Sequence, residues 1–164
     1  MILYIIRHAW AAEPGEPAWP DDRLRPLTKN GRERFAKLVK ILTGRGFAPE
    51  LIATSPLVRC HQTAEIVAQN VPGKPRIVER EELAPGSDLE RLLGWTILQS
   101  DQCGQIVWVG HAPDVGDLTA ALIGESHGAI RFAKGAVASI EFDGPPAVGK
   151  GDLYWLITAK VLGC

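Results

Sequence analysis

Short apolar runs and amphipathic runs alternate along almost the whole chain, and this alternation limits the fold more than any other feature. The opening run, 1 to 6, is rich in Ile and reads as a buried strand. The stretch AAEPGEPAWPDDRLRP follows with four prolines before Leu27, so it is a loop: proline continues neither a helix nor a central strand. At Thr28 the pattern changes. Phe35, Leu38, Val39 and Leu42 fall at i, i+3, i+4 and i+7 with Lys and Arg between them, which predicts a helix capped at Thr28 and stopped near Gly44 to Gly46. ELIAT, 50 to 54, is a second strand. The next helix is expected to have Ser55 as its N-cap, Pro56 in its first turn, and Leu57, Cys60, Ala64 and Val67 on its inner face.

PRIV, 75 to 78, reads as a third strand. A third helix opens on a capping box, Ser87 to Glu90, with Leu89, Leu92, Leu93 and Ile97 facing inward. QIVWVG, 105 to 110, is another buried strand, and HAPDVGDLTAALIG leads through a loop into a helix ending at Gly124. AVASIEF and DLYWLITA predict two late strands, paired as a hairpin across 143–151. Strands alternating with helices in this order predict a three-layer α/β/α fold on a mostly parallel central sheet. The 164 residues suit a single domain, 1–164, with no linker or repeat to divide it.

Composition narrows the function classes. With 46% hydrophobic and 23% charged residues and a net charge of −1, the chain has no basic run for nucleic acid or an anionic membrane surface. Any anion must be held by a few placed side chains. Cys60, Cys103 and Cys164 form neither a disulfide framework nor a metal-binding spacing, so reduced thiols and a cytoplasmic setting are expected. The first apolar run is too short for a signal peptide, and no run approaches the ~20 residues of a membrane span. No DxD or His/Asp cluster proposes a metal, no cofactor is called for, and the sequence carries no signal of oligomeric state.

In such sheets ligands bind outside the carboxyl ends of the strands. The first strand delivers Arg7 and His8 there. The second delivers Thr54 and Ser55, with Arg59 one turn into the following helix. The fourth delivers Gly110 and His111, and the loop after the third offers Glu81 and Glu82. Two imidazoles and two guanidiniums thus converge from three strands, and phosphoryl transfer is the chemistry they support. Arginine presents a planar fork matched to phosphate oxygens, and a neutral imidazole beside cations is a competent nucleophile at physiological pH. No G-x-S-x-G elbow or C-x5-R loop competes. His61 points off the Arg59 face and reads as surface; His127 sits in a glycine-rich loop and matches nothing.

These residues resemble the histidine phosphatase superfamily, which includes the phosphoglycerate mutases. The matching segments are IIRHAWA at 5 to 11, LTKNG at 27 to 31, SPLVRCHQTA at 55 to 64 and VGHAP at 109 to 113. The short length and the wording RPLTxxGRER and ELAPG are most similar to the SixA-type phosphohistidine phosphatases. The resemblance implies a phosphoglycerate mutase-like fold and assigns roles. His8 would be the nucleophile, Arg7 and Arg59 the phosphoryl clamp, and His111 a donor to the same oxygens. Ser55 or Thr28 would add phosphate contacts, and Glu82 would be the candidate proton donor. Departures are visible too. The nucleophile is commonly followed by Gly-Glu or Ala-Glu, whereas here Ala9-Trp10 follows, with Trp10 walling the pocket or packing. His111-Ala112 lacks the acid of the histidine acid phosphatase branch.

The substrate follows from the loops. Residues 71 to 87 form the longest segment available to roof the pocket, so the pocket is expected to be shallow and open. That suits a phosphohistidine displayed on a protein. The alternatives are a small phosphate ester, such as a sugar phosphate or nucleotide, and a non-catalytic phosphate-binding domain.

Overall fold

The computed structural model describes residues 1–125 and 129–164; His127 lies outside the described residues. Six strands form one sheet in the order β3-β2-β4-β1-β5-β6. They are β1 (Ile2–Arg7), β2 (Leu51–Thr54), β3 (Arg76–Glu79), β4 (Gln105–Gly110), β5 (Val137–Glu141) and β6 (Asp152–Ile157). The first four run parallel, while β5 lies antiparallel to both β1 and β6. The expected mostly parallel sheet and the closing hairpin are both present.

Helices α1 (Lys29–Thr43) and α2 (Val58–Asn70) cover one face, and α3 (Leu89–Ser100) and α4 (Asp114–Leu122) the other. Successive strand side chains alternate between faces. Tyr4 and Ile6 of β1 pack with α1 and α2, whereas Leu3 and Ile5 pack with α3 and α4. The same alternation governs β4, where Val107 and Val109 face α1 and α2 while Ile106 and Trp108 face the opposite layer.

Register then places the chemistry. Arg7 lies opposite Gly110, and Thr54 opposite Val109. The residues just past these ends, His8, Ser55 and His111, therefore emerge side by side. Backbone bonds hold them there: the His8 N–H donates to the Gly110 carbonyl at 3.0 Å, and the Ser55 N–H to the Val109 carbonyl at 3.0 Å.

Four local expectations are corrected. Helix α2 begins at Val58 with Leu57, not Ser55, as its N-cap, because Ser55 still belongs to the sheet ladder. Helix α3 is capped by Asp88 rather than Ser87; the Asp88 carboxylate accepts the Arg91 N–H. Ile97 is 40% exposed, and Thr96 takes the inward place, accepting the Trp108 indole N–H at 3.1 Å. Strand β3 starts at Arg76, one residue late, since Pro75 has no N–H for the ladder.

Candidate active site

His8 sits just past β1, with 7% of its surface exposed. Its Nδ1–H donates to the Ala9 carbonyl at 2.8 Å, which leaves the Nε2 lone pair free. Burial pushes its pKa down to about 3, and the charges of His111, Arg59 and Arg7 act in the same direction, against the opposing Ala9 hydrogen bond. The imidazole is neutral throughout the physiological range. The Ala9 N–H donates to the Thr63 hydroxyl, and that hydroxyl donates to the Arg59 carbonyl, so α2 is tied to the backbone next to His8.

His111 lies with its ring centroid 5.3 Å from that of His8. Its Nε2 is 2.9 Å from the Ser55 hydroxyl and 3.3 Å from Cys60 Sγ. Ser55 accepts the Leu57 N–H and Cys60 donates to the Gly110 carbonyl. His111 Nε2, the Ser55 hydroxyl and the Cys60 thiol thus form one buried hydrogen-bonded cluster. Burial, then Arg59, pushes the His111 pKa down to about 4. The Ser55 hydroxyl is fully buried and engaged with His111. Cys60 is held as a thiol by burial, its pKa raised to about 12.

The two arginines are placed differently. Arg7, on the α3/α4 side, donates Nη1 to the Phe132 carbonyl at 2.8 Å and borders a cavity of about 350 Å³ with Ala112, Pro113, Asp117, Arg131 and Phe132. Arg59 is 4% exposed and is met by a partner absent from the sequence reading. Its Nη1 donates to the Asp22 carbonyl at 2.7 Å, and its Nη2 pairs with Asp22 Oδ2 at 2.9 Å. Asp22 Oδ1 accepts from Arg25 Nε at 2.8 Å, and Arg25 Nη1 is bound to the Ala12 carbonyl at 2.6 Å. Both Arg7 and Arg59 keep a buried Nε–H with no partner among the described residues. A phosphoryl oxygen is the acceptor such donors fit.

The remaining motif residues make contacts around Trp10 and Leu27. The Thr28 hydroxyl accepts the Gly31 N–H as the cap of α1 and donates to the Trp10 carbonyl, which gives it a capping and tethering role. A Cβ at Gly31 would collide with the Trp10 carbonyl, so only glycine lets α1 approach the residue after Ala9 so closely. Gln62 accepts the Leu27 N–H. Trp10 packs beneath the Arg34 guanidinium, 4.1 Å from the ring centroid, rather than walling the pocket.

Glu82 lies in a short 3-10 turn, Glu81–Leu83, with its carboxylate paired to Arg80 at 2.6 Å. It is not among the charges acting on His8 or His111. His8, Arg59 and His111 are each at most 7% exposed, and the 3-10 turn at Asp22–Leu24 reaches over to Arg59 from the proline-rich loop. Sequence reading gave that loop no role; its one signal was the arginine of RPLT.

Comparison with known proteins agrees with this layout. The model of the histidine phosphatase superfamily (branch 1) matches residues 3–86, which include His8 and Arg59. Phosphohistidine phosphatase SixA of Escherichia coli strain K12 is 30% identical over 159 residues, 94% of this chain and 92% of that protein. An uncharacterized protein of Picosynechococcus is 37% identical over 123 residues, 74% of this chain and 73% of its own length. The solved structure of the protein histidine phosphatase SixA complexed with tungstate superposes with a TM-score of 0.85 at 28% identity, covering 99% of each chain. No helix among the described residues is long and apolar enough to cross a membrane.

Proposed function

The chain belongs to the histidine phosphatase superfamily, and from that premise we propose that it hydrolyses phosphohistidine displayed on a protein, through a covalent phosphohistidine at His8. The observation that carries the reading is the convergence of a neutral His8 with a free Nε2 and two arginines whose buried Nε–H groups have no partner among the described residues. His8 Nε2 attacks phosphorus in line, the bond to the leaving group breaks, and the phosphoryl group passes to His8. Arg7 and Arg59 hold its oxygens as charge redistributes, and the His111 imidazole donates to the same oxygens. Water then attacks the phosphohistidine and releases inorganic phosphate, returning His8 to its starting state.

The substrate class follows from the acids. An alkyl phosphate leaves as a poor alkoxide and needs a proton, help worth about 10²–10⁴ in rate. Glu82, the candidate donor, spends its carboxylate on Arg80. An imidazole protonated on its far ring nitrogen leaves without such help. The similarity to SixA proteins along nearly the whole chain supports the same substrate class.

A dephosphorylation panel tests this: phosphohistidine protein, phosphoserine peptide, sugar phosphates and nucleotides. The expected result is a kcat/KM for phosphohistidine far above the rest, with inorganic phosphate competing and metal chelators without effect. Efficient turnover of phosphoserine or sugar phosphates, abolished by Glu82→Gln, would replace this reading with that of a small-molecule phosphatase.

A further inference from the structure

Beside Arg59 stands a carboxylate that phosphate binding alone does not explain. Asp22 holds Arg59 by both its backbone carbonyl and Oδ2, and its Oδ1 is anchored by Arg25. Arg25 is 8% exposed and bound to the Ala12 carbonyl, so the carboxylate is fixed from two sides. Its side chain is 56% exposed, whereas His8 is 7% exposed. Asp22 is therefore the solvent-exposed partner of the buried Arg59, whose charge reaches His8, and its own charge reaches His111. In-line displacement sends the leaving group away from the nucleophile, toward solvent.

An anion here works against a dianionic phosphoryl group. Two arginine contacts hold Asp22 ionised, its pKa lowered chiefly by the Arg25 hydrogen bond, so it has no proton to give an alkoxide. What a fixed carboxylate does offer is an acceptor. Each of its oxygens makes one charge-assisted bond in the protein and retains capacity for another. A departing imidazole supplies the matching donor, the N–H of its far ring nitrogen.

We infer that Asp22 is a specificity-determining residue, accepting a hydrogen bond from the ring N–H of the departing imidazole and so favouring phosphoramidate over phosphate ester substrates. The inference rests on the phosphohistidine reading above. The step balances without proton transfer to Asp22. The substrate ring arrives protonated on the nitrogen remote from phosphorus. The His8 Nε2–P bond forms, the substrate N–P bond breaks, and its electron pair stays on the leaving nitrogen. The ring departs as neutral imidazole with its N–H still directed at Asp22.

The test compares phosphohistidine with 4-nitrophenyl phosphate, an ester whose leaving group is a stable anion needing no proton, in the wild type and in Asp22→Asn. The expected result is that phosphohistidine loses about 10- to 100-fold more kcat/KM than the ester does, the range of a hydrogen bond to a charged group. Equal losses on both substrates would overturn the inference and reduce Asp22 to a positioning residue for Arg59, which serves both. An effect that appears in Asp117→Asn instead would place the leaving group in the cavity beside Arg7, and would also overturn it. A measurement on the wild type alone avoids dependence on any variant's folding. N-phosphoryl imidazole should gain more over its uncatalysed rate than its N-methyl analogue, which has no ring N–H; equal gains would refute the role. A wild type that ignores phosphohistidine while cleaving phosphoserine would fault the substrate reading itself, and the inference with it.

Discussion

Two loops flank the reactive edge, and they use their carboxylates in opposite ways. The loop after β3 carries Glu82, which its neighbour Arg80 neutralises, while the Arg80 guanidinium lies 5.2 Å from the Trp95 ring centroid. That ion pair stays on the α3 side. The loop after β1 carries Asp22, which crosses to α2 and engages Arg59. The first loop's carboxylate stays within its own loop; the second's reaches the buried Arg59. A carboxylate's role is thus set by which cation lies within reach, and sequence position alone does not reveal that cation.

Substitutions break this contrast to different degrees. The largest effect falls on the floor between the loops. His8→Ala should abolish turnover with the fold intact, because His8 lies past the end of β1 and outside both apolar clusters. Steady-state rates and a thermal melt check it, and more than a few percent residual activity would remove the covalent role. Next is Arg59→Lys, which keeps charge but loses the fork that binds Asp22 and phosphoryl together. A loss of about 10²–10³ in kcat is expected; near-normal turnover would show that charge suffices. Glu82→Gln should cost phosphohistidine hydrolysis less than about tenfold, well below the effect of losing a general acid. A loss of that larger size would put the β3 loop back into the chemistry. The smallest effect is at Thr28→Ala, which should lower stability by about 1 kcal/mol as a lost cap and leave the inhibition constant for inorganic phosphate near the wild-type value. A marked weakening of phosphate binding would instead give the hydroxyl a phosphate role.

What was legible in the sequence follows the same division. The sheet, its layers and its late hairpin came from periodicity, because strands buried on both faces have little freedom of composition. His8, His111 and Arg7 were legible because each sits at or just past a strand end, where register fixes position, and Arg59 because it lies in the first turn of α2, the helix that follows β2. Asp22 and Arg25 were not, because they lie in a proline-rich loop with no period, and their partners are set by tertiary contact. Ser55 was read as a cap because its residue type suits one; the ladder bond to Val109 shows that the strand claims it first. Thr63 went unread for a similar reason: a mid-helix threonine gives no sign that it accepts the Ala9 N–H.

The pH response is a further consequence of burial. The folded pKa values of His8 and His111, about 3 and about 4, lie below the ordinary 6.5. Between those values the unfolded chain binds protons that the fold refuses, so stability falls as pH drops from about 6.5. Above that range the two groups contribute no pH dependence. Denaturant midpoints across this window should decline on the acid side, and the acid limb of kcat/KM for an ester substrate should lie well below pH 6.5. A limb centred at the ordinary histidine value would show that His8 is protonated in the free enzyme.

The central claim is that phosphorus becomes bonded to His8. A rapid-quench single turnover with phosphohistidine protein carrying labelled phosphate, followed by peptide mapping under alkaline conditions that preserve phosphohistidine, tests it most directly. The account predicts transient, acid-labile label on the peptide containing His8, absent in His8→Ala. Phosphate release with no labelled enzyme at any time point, or label on another residue, would contradict it.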